Sequence, residues 1–243
     1  MISANDTDCI YEVPLNFEKD GLGEKLLSRL GLEKRKNPDW DSWREMIKRT
    51  RDAPRKVEIA LVGKYLDIGD YQLKDSYISV AAALSHAGAK NNVKVNINWV
   101  NSKDIESWRV DLSKFDGILV PGGFGNSGIE GKILAIEYAR KNNIPYLGLC
   151  YGMQLAVVEF ARNVCGLEAN STEINPDIEH KVIDILEEQK GVENKGGTMR
   201  LGGYPAVLKE GSKVSKIYGG LNVSERHRHR YEVNPNYHQI LID

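Results

Sequence analysis

A chain of 243 residues is long enough for one large domain, or for one domain with an appended segment. Its 41% hydrophobic and 28% charged content suits a soluble protein with a core, and a net charge of −1 supplies no basic field of the kind nucleic acid requires. No apolar stretch approaches the ~20 residues of a membrane helix, MISANDTDCIYEVPL lacks the regions of a signal peptide, and three cysteines are an odd, sparse set, so a reducing cytoplasmic setting is expected.

Residues 1–54 hold short apolar patches broken by charge, such as Glu33-Lys34-Arg35-Lys36. From Arg55 onward, strand-like and helix-like stretches alternate. Lys56–Gly63 reads as a buried strand ending in glycine. Ser76–Ala87 spaces Tyr77, Val80, Ala81 and Leu84 as a helix does, with Gly88 as its C-cap. Val93–Val100 alternates as a half-exposed strand. Phe115–Val120 is a further buried strand, running into Pro121-Gly122-Gly123-Phe124-Gly125, and Ile129–Asn142 is an amphipathic helix. Ile144–Leu149 is a third buried strand and Met153–Asn163 a helix. Beyond about residue 165 the pattern breaks into shorter polar pieces, with Lys195-Gly196-Gly197-Thr198 as a loop or lid. Buried strands alternating with helices imply an α/β fold, a mostly parallel sheet covered on both faces, whose ligand crevice lies at the C-terminal strand ends. Both glycine-marked turns, 121–125 and 148–152, fall at such ends.

Gly148-x-Cys150-x-Gly152 has the spacing of a nucleophile elbow, in which a reactive side chain sits on a tight strand-to-helix turn and small neighbours keep the backbone clear. The positive end of the following helix favours a thiolate there, and the N–H of Tyr151 points where an oxyanion would form. Taken alone, the alternative of a buried structural cysteine stays open. The glycines of 121–125 read either as a tight turn or as a second set of backbone donors for the oxyanion. Cys165, at a helix end, reads as core, and Cys9 as packing or exposed linker. His227-x-His229 has no third ligand in metal spacing.

These residues carry a resemblance. PGGFG (121–125), Gly128-Ile129-Glu130-Gly131-Lys132 and NIPYLGLCYGMQ (143–154) resemble the class I glutamine amidotransferases, which have a flavodoxin-like fold. EFARNV (159–164), ANSTE (169–173), GGTMRLG (196–202) and ERHRHRYEVN (225–234) resemble the CTP synthase family in particular. IYEVPL (10–15) looks like the last part of that family's synthetase domain and VGKY (62–65) like the opening of its glutaminase domain. The resemblance thus implies a synthetase remnant and linker over 1–54 and a glutaminase domain over 55–243.

The family converts UTP to CTP with ATP, magnesium and ammonia from L-glutamine, and GTP as activator. The resemblance makes Cys150 the nucleophile that forms a glutamyl thioester. It gives the oxyanion to Gly123 and Tyr151, beside Phe124, and glutamine to Gln154, Glu173 and Arg230. Arg226, Arg228 and Arg230 would share one face of a single strand, with His227, His229 and Tyr231 on the other. No cofactor or metal is expected within this chain itself, and self-association is expected of the full enzyme. Three departures stand out. Tyr151 replaces the family's usual Leu, and Asn126-Ser127 occupies the segment where the family commonly carries the Arg associated with GTP. The His-Pro-Glu motif that supplies the family's base and its orienting carboxylate is not in the sequence. The expectation is a fragment, incomplete at the C-terminus, that hydrolyses glutamine weakly or not at all. Two alternatives stand beside it: a cysteine hydrolase on the same elbow, which needs a histidine near Cys150, and a non-catalytic glutamine- or nucleotide-binding module.

Overall fold

The computed structural model describes residues 2–64, 67–68, 71–72, 74–191 and 199–242. The expected lid at 195–198, Tyr65 of VGKY and the first three residues of GGTMRLG lie outside the described residues. By compactness the chain divides into two units, one taking residues 1–60, 65–99 and 113–117, the other 61–64, 100–112 and 118–243.

In the first unit, α1 (Val13–Lys19) starts on a proline, which tolerates the first turn because that N–H has no helical partner. Left-handed Gly21 and Gly31 bracket α2 (Leu22–Leu30). In α3 (Asp41–Asp52), Asp41 in the first turn and Arg49 and Arg51 in the last complement the helix dipole. Trp43 Nε1 donates to the Tyr11 carbonyl at 2.8 Å. β1 (Arg55–Gly63) buries Ala60, Leu61 and Val62 completely. β2 (Asp67–Ile68) and β3 (Tyr71–Gln72) form a short antiparallel pair. α4 runs Ile78–Asn91, so Gly88 lies inside it and the left-handed cap is Asn92. The expected glycine cap is corrected for a steric reason: a Cβ at Gly88 would stand 2.6 Å from the Val93 carbonyl oxygen, so this glycine serves close approach.

β4 (Val93–Asn101) leads into α5 (Ser102–Glu106), which Asn101 caps by accepting the Lys103 N–H. β5 (Gly117–Val120), α6 (Ile129–Lys141), β6 (Tyr146–Gly148) and α7 (Tyr151–Asn163) follow. The strand order is β4-β1-β5-β6, and β5 pairs with β6 in parallel, in an α/β arrangement. Two expected strands are shorter than predicted. The third is also not buried: β6 is an edge of this sheet among the described residues, and its Leu147 is 52% exposed.

The polar stretch beyond 165 contains more sheet than its composition suggests. β7 (Ala169–Ser171), β8 (His180–Ile185) and β11 (Tyr231–Val233) make a three-stranded sheet in the order β11-β8-β7. β9 (Arg200–Val207) and β10 (Asn222–His229) pair antiparallel as a ribbon, with α8 (Lys213–Tyr218) between them in sequence. The chain ends in α9 (His238–Ile242). The predicted single arginine strand is therefore two strands in two sheets, broken at Arg230. Arg226 and Arg228 are exposed while Arg230 is buried. Cys165 is half-buried with Sγ 3.5 Å from the Ile240 carbonyl oxygen, which corrects its reading as core, whereas Cys9 is buried.

Candidate active site

The site grows from two strand ends in the second unit. After β6, Cys150 takes φ 53° and ψ −109°, outside the regions that side-chain-bearing residues prefer, and α7 begins at the next residue. The bracketing glycines are required sterically. A Cβ at Gly148 would come within 2.6 Å of the Gly152 and Met153 backbone, and one at Gly152 within 2.0 Å of the Val120 carbonyl oxygen. The turn thus wedges the Cys150 backbone between β5 and α7. After β5, the loop 121–125 folds over the sulfur: a Cβ on Gly122 would stand 3.6 Å from Cys150 Sγ.

The backbone N–H groups of Gly123 and Tyr151 both point at Cys150 Sγ. Burial pushes the thiol's pKa up, these two donors pull it back, and the Glu173 carboxylate raises it further. Two donors converging from separate loops are the arrangement that holds a developing oxyanion.

Cys150 lies in a cavity of ≈ 320 Å³ whose walls include Gly123, Phe124, Gln154, Glu173 and Arg230. Tyr151 contributes its N–H only. Its side chain is buried and its hydroxyl donates to the Gly125 carbonyl at 3.1 Å. Gln154, buried on α7, donates through Nε2 to the Tyr231 carbonyl at 3.0 Å. Glu173, just past β7, accepts the Gly125 N–H at 3.1 Å, which ties it to the loop 121–125. Arg230 is buried and donates to Gln189 Oε1 at 2.9 Å. The backbone there is held by the Leu186 N–H on its carbonyl. All seven residues expected at the site therefore gather on or directly behind one cavity.

Met199, Arg228, His229 and Tyr231 complete the wall. His229 Nδ1 stands 3.2 Å from His227 Nδ1, and burial, then His227 and Arg200, hold its pKa below the usual imidazole range. Among the described residues no hydrogen bond joins a histidine to Cys150, although His229 lines the same cavity. Among the same residues no group of three or more His, Cys, Asp or Glu side chains converges to hold a metal ion.

Two lysines stand behind the loop. Lys64, at the end of β1, donates from Nζ to the Phe124 carbonyl. Lys132, in the first turns of α6, is wholly buried, and its Nζ has no hydrogen-bond partner among the described residues. That Nζ lies 5.4 Å from the Tyr151 ring centroid and 3.7 Å from where a Cβ on Gly123 would be. Burial, then the nearby Lys64, push its pKa down to about 8. A signal for it existed in sequence, since Ile129, Lys132, Ile133 and Ile136 share one helical stripe.

The glutamine amidotransferase class-I family model matches residues 72–242. Proteins named CTP synthase from Methanococcus maripaludis and Methanocaldococcus jannaschii are 54% and 55% identical to it, each across 99% of this chain but only 46% and 45% of their own lengths. The chain thus spans a little under half the length of these curated relatives. A solved Trypanosoma brucei structure, a CTPS glutaminase domain with bound acivicin, superposes with a TM-score of 0.68 at 42% identity. That match covers 76% of this chain and 71% of that one.

Proposed function

The chain belongs to the class-I glutamine amidotransferases, in the branch formed by the glutaminase domains of CTP synthases, and on that premise we propose that Cys150 is the nucleophile that opens glutamine's side-chain amide. The observation that carries this reading is the convergence of the Gly123 and Tyr151 N–H groups on Cys150 Sγ, on the wall of a cavity of ≈ 320 Å³. The thiolate adds to the amide carbon, forming the C–S bond, and the carbonyl oxygen takes the negative charge against the two N–H groups. Collapse breaks the C–N bond, releases ammonia once the nitrogen has gained a proton, and leaves a glutamyl thioester that water hydrolyses to glutamate.

The remaining walls sort the substrate's charges. Glu173 suits the α-ammonium group and Arg230 the α-carboxylate, as opposite charges within a partly desolvated cavity. Gln154 and Phe124 border the path between them. The proton transfers need a base at the thiol, and among the described residues no histidine is hydrogen-bonded there. Turnover by this chain alone is therefore slow, while formation of a covalent adduct at Cys150 proceeds.

In the longer protein, residues 1–54 act as the end of a synthetase domain and a linker. Ammonia from Cys150 is used there in the ATP- and magnesium-dependent amination of UTP to CTP. That protein is a cytoplasmic homo-oligomer. Its GTP response is altered by Asn126-Ser127, where no arginine is available for a phosphate.

The test is incubation with a chloromethyl ketone analogue of glutamine, whose chloride the thiolate displaces, read by intact mass, alongside ammonia release from glutamine. One adduct, lost in Cys150→Ala and slowed by excess glutamine, is the expected result. Absence of an adduct overturns the nucleophile, and rapid Cys150-dependent ammonia release overturns the slow-turnover part. Binding of glutamine without any adduct would favour a non-catalytic module.

A further inference from the structure

We propose that Lys132 is a positioning residue of the oxyanion site, an unpaired buried ammonium that acts on Cys150 through the Gly123 peptide and the Tyr151 ring. The proposal rests on the reading of Cys150 as a nucleophile, yet its own observations are independent of substrate identity. Lys132 does not line the cavity, so it touches no substrate atom. It reaches the rear of both residues whose N–H groups aim at the sulfur: the glycine at 123 and the aromatic face of residue 151. A wholly buried lysine without an acceptor is a costly placement, because the ammonium loses its hydration and gains no hydrogen bond. The cation–π contact with Tyr151 recovers part of that loss.

The arrangement supplies a positive charge, held below about pH 8, beside the two residues whose N–H groups aim at the sulfur. Such a charge adds to the potential those N–H groups create at the thiolate and at the later oxyanion. The groups facing Lys132 are the Lys64 ammonium and the Tyr151 ring, while Cys150 faces Glu173, with Arg228, His229 and Arg230 also on the cavity wall. Lys64 fixes the same loop from another side through the Phe124 carbonyl.

The experiment measures the rate of Cys150 alkylation by iodoacetamide from pH 6 to 10, in a chain carrying Cys9→Ala and Cys165→Ala, with and without Lys132→Met. Methionine keeps the length of the stem and removes the charge. The expected result is a ~3-fold or larger fall in alkylation rate between pH 6 and 7.5, where Lys132 is charged, that shrinks above pH 8 as the lysine loses its proton, with a melting temperature that is unchanged or higher. Equal rates below pH 7.5 overturn the proposal, and so does a rate ratio that stays constant with pH, the mark of a merely packing role. Should the Met variant not fold, Lys132→Gln is measured in its place against the same two outcomes. Failure of the glutamine chloroketone to label Cys150 would remove the glutaminase reading and leave this result standing.

Discussion

At Cys150 the main chain is held at φ 53°, ψ −109° by its surroundings, because the residues on either side cannot bear a Cβ and the next residue must start a helix. A side-chain-bearing residue there costs about 1–3 kcal/mol of backbone strain. The strain is separable from the thiol by comparing two variants that both lack sulfur. Cys150→Gly is expected to exceed Cys150→Ala in unfolding free energy by about 1 kcal/mol, measured by urea denaturation, although neither can form an adduct. Equal stabilities would mean that the turn is not strained. This residue was legible in the sequence because glycine spacing and a strand-to-helix transition are both local signals. Lys132 was harder to find, since a lysine in an amphipathic helix is usually placed on the solvent side, and its burial depends on a loop that is distant in three dimensions until the chain folds.

Elements α6 and α7 are joined by two ion pairs, the exposed Glu130–Arg162 and a second whose carboxylate is buried. Arg140 Nε and Nη2 reach Glu159 at 3.0 and 2.7 Å, and Asn163 donates to the same carboxylate at 3.0 Å. The two partners are unequal: Glu159 is 1% exposed while the Arg140 side chain is 32% exposed. Arg140→Ala leaves a buried carboxylate without its cation and is expected to cost about 3 kcal/mol. Glu159→Gln in the same background recovers part of that loss, because a neutral amide there is cheaper to bury. Thermal melts of the two single variants and the double variant measure it. The strands around the site show where sequence patterns run out. Alternation continues without a break from Asn222 through Val233, yet the pairing partner changes at Arg230 from β9 to β8. Nothing in a two-residue periodicity encodes which neighbour a strand will have. At Gly88 the residue type was informative but its reason was misread, since close approach and a left-handed cap both select glycine.

At the scale of the whole molecule, ionisation of the site reaches folding stability. Lys132 loses its proton near pH 8 when folded but keeps it to its ordinary 10.5 when unfolded, so the unfolded chain binds more protons between those values. Its contribution therefore rises with pH across that window. Cys150, whose thiol is raised from 9.0, works in the opposite sense above pH 9, and the raised tyrosines 146 and 151 do so above pH 10. The difference between the parent chain and Lys132→Met isolates the lysine. The variant's advantage in urea midpoint is expected to shrink from pH 7 to pH 9.5, and a constant gap would rule out titration of this lysine. The break at Arg230 has a last consequence. In sequence the ribbon of β9 and β10 passes into the three-stranded sheet through the single residue Arg230, and the cavity takes Arg228 and His229 from one side of it and Tyr231 from the other. An occupant touching both orders side chains from two sheets at once, at an entropic cost of about 0.5–1.5 kcal/mol for each one immobilised.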